Sequence, residues 1–129
     1  MLFRSGYARK LRKGEIQSNP ENWYIPHFPV YNVNKPGKIR MVFDAAAQSS
    51  GISLNCALIP DPDLLTSLVA VIFKFRQREI GFGGYIQEMF HRVQIRDEDV
   101  PAQRFFWRNG NSFVDLEVYE MKAMIFGKN

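Results

Sequence analysis

A single cysteine, Cys56, and two histidines, His27 and His91, are all that the 129 residues offer in thiol and imidazole groups. One cysteine excludes an internal disulfide framework, so a reducing compartment is the expected setting. The two histidines are far apart, with no ligand spacing around Cys56, and a zinc site is not expected. Cys56 has no base beside it in sequence, which predicts a buried or neutral thiol. Long hydrophobic runs are missing as well. The longest, residues 64–75, is interrupted by Thr66, Ser67 and Lys74 and is too short to span a bilayer. The first ten residues, MLFRSGYARK, lack the apolar core of a signal peptide. Together these point to a soluble intracellular chain, cytoplasmic or nuclear, with no membrane partner. Gly81, Gly83 and Gly84 do not have the GxGxxG spacing of a phosphate-cradling loop. There is no internal repeat and no low-complexity tract.

What is present is the composition of a globular domain, or part of one. Hydrophobic residues make up 46% of the chain and aromatics 14%, enough for a real core and too apolar for disorder. The formal charge of +4 is unevenly spread. Residues 1–40 carry eight Lys or Arg against two Glu, a net of +6, and the rest carry nine against eleven, a net of −2. Such asymmetry suggests an anionic partner for the N-terminal part.

The chain is organised around residues 32–47, NVNKPGKIRMVFDAAA. Val30, Tyr31 and Val33 suit one strand and residues 39–43 a second, with turn chemistry between them. Pro36 and Gly37 fit the two central positions of a type II turn, where Pro fixes φ and Gly accepts a positive φ. Lys35, Lys38 and Arg40 cluster at the tip, and strand alternation sends Lys38 and Arg40 to one side. Two readings of this spacing stand side by side. One is a basic grip on a polyphosphate or nucleic-acid backbone. The other, favoured by spacing alone, is a solvated edge whose lysines prevent edge-to-edge pairing.

Elsewhere the pattern predicts a short basic helix over residues 1–13 ended by Gly14, and an edge or irregular strand over 23–33 broken by Pro26 and Pro29. A long polar connection over 45–57 follows, with a turn at Ser49, Ser50 and Gly51. Asp61 as N-cap, Pro62 at N1, and Leu64, Leu65, Leu68, Val71, Ile72 and Phe75 at helical spacing predict a helix running to about Gln77 or Arg78. Residues 79–86 read as a short buried strand, 87–91 as a turn or first helical turn, and 93–95 as strand-like. Asp97, Glu98 and Asp99 read as a loop or the start of a short helix. Residues 103–107 and 116–122 read as two strands joined through an Asn109-Gly110 turn. Strands mixed with one long helix, without βα alternation, predict an α+β layer arrangement.

The order of these segments resembles the reverse transcriptase domain of Bel/Pao-type long-terminal-repeat retrotransposons. The resemblance is carried by GYARK (6–10), WYIPHFPVYN (23–32), NKPGKIRMVFDAAA (34–47), GISLN (51–55), PDLLTSL (62–68), FKFR (73–76), MFHRV (89–93) and RFFWR (104–108), which cover nearly the whole chain. It implies fingers over roughly residues 1–80 and the start of the palm over 81–129 of a reverse-transcriptase-like polymerase fold. It places Lys35 and Arg40 where fingers side chains hold the incoming triphosphate, with Lys38 as a nucleic-acid contact. Phe90 falls where a large aromatic residue screens out the ribose 2′-hydroxyl, and also reads as an ordinary core phenylalanine. Asp44 matches an acidic position suited to structural hydrogen bonding. The Cys56 position is usually acidic, so a local hydrogen bond is expected to be lost there.

In the complete family, palm aspartates hold two Mg²⁺ ions that activate the primer 3′-hydroxyl and clamp the triphosphate. Here the aspartate position five residues ahead of Phe90 is Tyr85, and a phenol titrating near ~10 is a poor ligand for Mg²⁺. The later Tyr-x-Asp-Asp turn has no counterpart in these residues. Glu88, three residues after Tyr85, lacks a second carboxylate strand to complete a site. The expectation is a catalytically inactive fragment with no catalytic residue, no metal ligand and no cofactor of its own, weak unspecific affinity for RNA or DNA, and a tendency to self-associate. The alternative is a co-opted, non-catalytic nucleic-acid-binding module, reading bases through exposed aromatics such as Trp23 or Tyr24. A third reading, one piece of a longer active protein, is opposed by Tyr85.

Overall fold

A computed structural model describes residues 3, 5–37, 39–59 and 65–125. Its first strand is β1, Ala8–Lys10, followed by a 3-10 turn at Lys13–Glu15. Strands β2 (His27–Tyr31) and β3 (Ile39–Phe43) form an antiparallel hairpin. Strands β4 (Gln48–Ser49) and β5 (Ile52–Ser53) form a second, minimal one. Two helices follow, α1 at Leu54–Ala57 and α2 at Leu68–Phe75. After 3-10 turns at Met89–Arg92 and Val100–Gln103 come β6, Arg104–Trp107, and β7, Glu117–Met121. Small antiparallel sheets mixed with short helices make an α+β chain, the class that the pattern of elements predicts.

The sheet β1-β7-β6, with β7 in the middle, carries the core. Residues directly opposite one another share a face, so the register sorts the side chains. Ala8 opposite Met121, and Phe105 opposite Tyr119, define one face. Phe105 and Met121 are fully buried there, joined by Ile25, Phe43, Ala45 and Leu54. Phe43 at the end of β3 meets Phe105 edge-on, with ring centroids 5.2 Å apart at 71°. That is a preferred aromatic geometry, and it docks the hairpin on the sheet. The approach is fixed by backbone bonds, in which Ile25 N–H donates to Arg104 O (2.8 Å) and Arg104 N–H to Trp23 O (3.0 Å).

Turn chemistry is where sequence and structure agree most closely. Gly37 has φ +81°, as its place after Pro36 requires. Ser50 and Gly51 have φ of 53° and 82°, the two left-handed residues of a type I′ hairpin turn. Asn109 and Gly110, at 50° and 73°, turn the chain between β6 and β7.

Several expected elements differ. The segment predicted as a basic helix contains β1, because Arg9 and Lys10 find acidic partners on β7 and local propensity yields to pairing. Val33 belongs to the turn: Asn32 Oδ1 accepts from Asn34 N–H at 2.9 Å, and this side-chain turn ends β2 at Tyr31. Within the described residues, helix α2 begins at Leu68, and Asp61, Pro62 and Leu64 lie outside them. Residues 79–86 form no strand and are exposed, Phe82 to 91%. Three glycines weaken that run, and no ladder partner compensates. Residues 93–95 contribute one isolated bridge, Gln94 to Ala123. Residues 97–99 turn into the 3-10 segment Val100–Gln103, as expected. Among the described residues no helix is long and apolar enough to cross a membrane.

Candidate nucleic-acid interface

The β2–β3 hairpin pairs Val30 with Arg40 and Tyr31 with Ile39. Its apolar side is anchored by Phe43, while Arg40 and Lys35 are exposed. The Lys35 backbone N–H donates to Asn32 O at 3.1 Å, fixing the turn from which the ammonium extends. Lys38 lies outside the described residues. Asp44 has the structural role expected of it: Oδ1 accepts from the N–H groups of Ala46 (3.0 Å) and Ala47 (3.1 Å). Its carboxylate is therefore committed to the chain reversal after β3.

The N-terminal charge excess is used partly inside the molecule. Glu120 on β7 sits opposite Arg9 on β1 and Arg104 on β6. Arg9 Nε donates to Glu120 Oε1 at 2.7 Å, and Arg9 Nη1 reaches Glu15 at 2.8 Å. Lys10 Nζ pairs with Glu117. These contacts hold the Glu15 and Glu117 carboxyls below their ordinary range and the Arg9 and Lys10 cations above theirs. The asymmetry of the sequence is thus in part a cross-strand pairing code. Among the described residues of this part, Arg12, Lys13, Lys35 and Arg40 are exposed and form no ion pair with a described residue.

The residues matched to the palm are arranged differently from a metal centre. Tyr85 is 89% exposed, on the irregular 79–86 segment. Glu88 has a left-handed backbone (φ 55°), and its Oε2 accepts from Tyr7 Oη at 2.9 Å. That hydrogen bond pushes the Tyr7 phenol up. Phe90 lies in the Met89–Arg92 turn, partly exposed. Among the described residues no three His, Cys, Asp or Glu side chains are grouped to hold a metal ion. No strand ladder joins the hairpin to the 79–92 segment.

Cys56 is exposed, against the buried alternative, with its Sγ 3.2 Å from Ser53 Oγ. The same Ser53 hydroxyl caps α1 by accepting from Cys56 N–H. Trp23 packs against the core and Tyr24 stacks on Phe106 at 4.7 Å and 9°. Both aromatics therefore have partners within the fold.

His27 is half-buried in a cage of Phe43, Phe105 and Trp107, its ring 5.8, 5.4 and 5.7 Å from theirs. Burial pushes its imidazole below the ordinary value, against a smaller upward pull from a hydrogen bond with the Ile25 backbone. The unfolded chain then binds its proton first as pH falls, so stability declines below about 6.5 and levels off under the folded value. Denaturant midpoints measured across this window should fall toward acid, and His27→Phe should flatten that slope. An unchanged slope in the variant would remove His27 as its source.

Comparison of the chain with protein-family models, with curated proteins and with solved structures finds no match. Sequence reasoning missed the pairing of Arg9 and Arg104 with Glu120, and it missed the way Tyr7, His91, Arg92 and Lys122 come together. Two glutamates, Glu117 and Glu120, inside the β-rich run of β7 are the one local signal of the first. The second has none, because its parts come from three distant segments.

Proposed function

We propose that this chain is part of a reverse transcriptase domain of the Bel/Pao retrotransposon type, fingers followed by the start of the palm. It has no polymerase activity of its own and binds RNA or DNA weakly and without sequence preference. The observation that carries the binding is the hairpin, whose Lys35 and Arg40 are exposed and form no ion pair with a described residue, beside an Asp44 committed to backbone hydrogen bonds. Cations so placed are available to phosphates. The absence of catalysis follows from Tyr85 at the acidic position and from the engagement of Glu88 by Tyr7. The co-opted module requires stacking platforms, and Trp23 weighs against it because it packs against the core, while Tyr24 is already stacked on an exposed Phe106.

Affinity of this kind arises from counterion release and falls steeply with salt. Neutralising Lys35, Lys38 and Arg40 together should lower the slope of log affinity against log salt by about two to three. Fluorescence anisotropy with single-stranded RNA, hybrid duplex and a competitor polyanion measures it. Binding unaltered by the triple substitution would remove the hairpin from the account, and tight, salt-resistant binding to one ligand would promote the co-opted module. In the same preparation, primer–template with nucleotides and Mg²⁺ or Mn²⁺ should show no extension, and Tyr85→Asp should not restore it. Extension that Arg40→Ala abolishes would overturn the inactive reading.

A further inference from the structure

A groove of about 400 Å3 opens between the turn containing Ser5 and Tyr7, the segment from His91 to Asp97, and Lys122 with Ala123. Three segments far apart in sequence are fastened there by backbone bonds. Lys122 N–H donates to Tyr7 O (2.8 Å), Ile95 N–H to Lys122 O (3.1 Å) and Met124 N–H to Val93 O (2.9 Å). The Tyr7 ring lies on the His91 imidazole, centroids 4.9 Å apart at 16°. The Tyr7 hydroxyl is in turn held by Glu88, a non-glycine residue in the left-handed region. Such backbone is costly and persists where surroundings over-determine it. The ring pair thus fixes the imidazole against one wall.

We propose that this groove is a binding site for a phosphate monoester, carried either by a free nucleotide or by the 5′ end of a nucleic acid. Arg92, Lys122, His91, Gln94 and Ser5 line it, all able to donate hydrogen bonds, with Asp97 as the one acid among the lining residues. Arg92 and Lys122 form no ion pair with a described residue, and Arg92 Nε has only a long contact, 3.5 Å, to Gln87 O. Two cations without an ion pair to a described residue, set beside further hydrogen-bond donors and a single carboxylate, suit a dianion with three acceptor oxygens, the charge and valence of a phosphate monoester near neutral pH. A backbone diester has a single charge and uses fewer of the donors. The volume lies within the usual range for small-ligand sites, so the group attached to the phosphate also has room. The site is separate from the hairpin and does not rest on the retrotransposon reading.

The full chain is titrated with a short oligonucleotide bearing a 5′-phosphate, with the same oligonucleotide bearing a 5′-hydroxyl, and with adenosine monophosphate, at physiological salt. The 5′-phosphate should tighten binding by about tenfold, the scale of a charge-assisted hydrogen bond. Arg92→Gln with Lys122→Gln should erase that difference. Lys74→Gln with Arg78→Gln, a charge-matched control elsewhere on the surface, should leave it, and so should Lys35→Gln with Arg40→Gln. Adenosine monophosphate binding that depends on Arg92 and Lys122, without an end preference, would assign the free nucleotide as the source. Neither preference nor nucleotide binding, or a preference surviving the Arg92/Lys122 variant, would overturn the proposal. Thermal transitions of all variants identify any that fail to fold, and for these Lys122→Arg, which keeps the charge, should retain binding.

Discussion

Glu120→Ala lowers the unfolding free energy by about 3–5 kcal/mol, the expected cost of breaking a buried ion pair from one side. Glu120 is 4% exposed and Arg104 7%. Their closest approach, Arg104 Nε to Glu120 Oε2 at 3.7 Å, is a charge contact too long for a hydrogen bond, and Arg104 Nε and Nη1 have no hydrogen-bond partner among the described residues. The carboxylate therefore provides most of the compensation for a buried guanidinium. Arg9, more exposed, retains Glu15 after the substitution and contributes less to the loss. A loss of this size is a large fraction of the stability of a small domain, so the variant should unfold at a much lower urea concentration than the wild type. Urea titration followed by circular dichroism measures it. Replacing both residues, Glu120→Leu with Arg104→Met, should recover much of the loss, since an apolar pair carries no uncompensated charge. A single-variant cost under about 1 kcal/mol would mean that water already solvates Arg104.

The second large effect is association. Along α2, Leu68, Val69, Phe73 and Phe75 are exposed, and beyond it so are Ile80, Phe82, Tyr85 and Ile86. So many exposed apolar side chains within one stretch of chain favour self-association. The wild-type chain should sediment as oligomers or aggregate at micromolar concentration. Replacing Leu68, Phe73 and Phe82 with Ser should shift it to a monomer without loss of the β-sheet signal, because none of the three belongs to the core. Analytical ultracentrifugation of the two proteins decides the matter. A monodisperse wild-type monomer with a cooperative thermal transition would count against it.

Local chemistry was legible in the sequence. Pro36-Gly37, Ser50-Gly51 and Asn109-Gly110 turn the chain where their residue types predict, since a positive φ is a property of single residues. The hairpin of β2 and β3 and the β6–β7 pair followed from these turns and the flanking β-rich runs. The +6 excess of residues 1–40 was also plain in the sequence.

Only the tertiary structure decided how those charges are used and where the apolar residues go. Arg9 and Lys10 read as a solvated helix face until β7 supplies Glu120 and Glu117 in register. An ion pair between residues more than a hundred positions apart depends on strand register, which no local pattern encodes. The apolar spacing of α2 predicts a helix but not what covers it, because periodicity reports that a face is apolar and a core requires a second face. The groove of Tyr7, His91, Arg92 and Lys122 exists for the same reason. Its donors converge only after three distant segments have been joined by backbone hydrogen bonds.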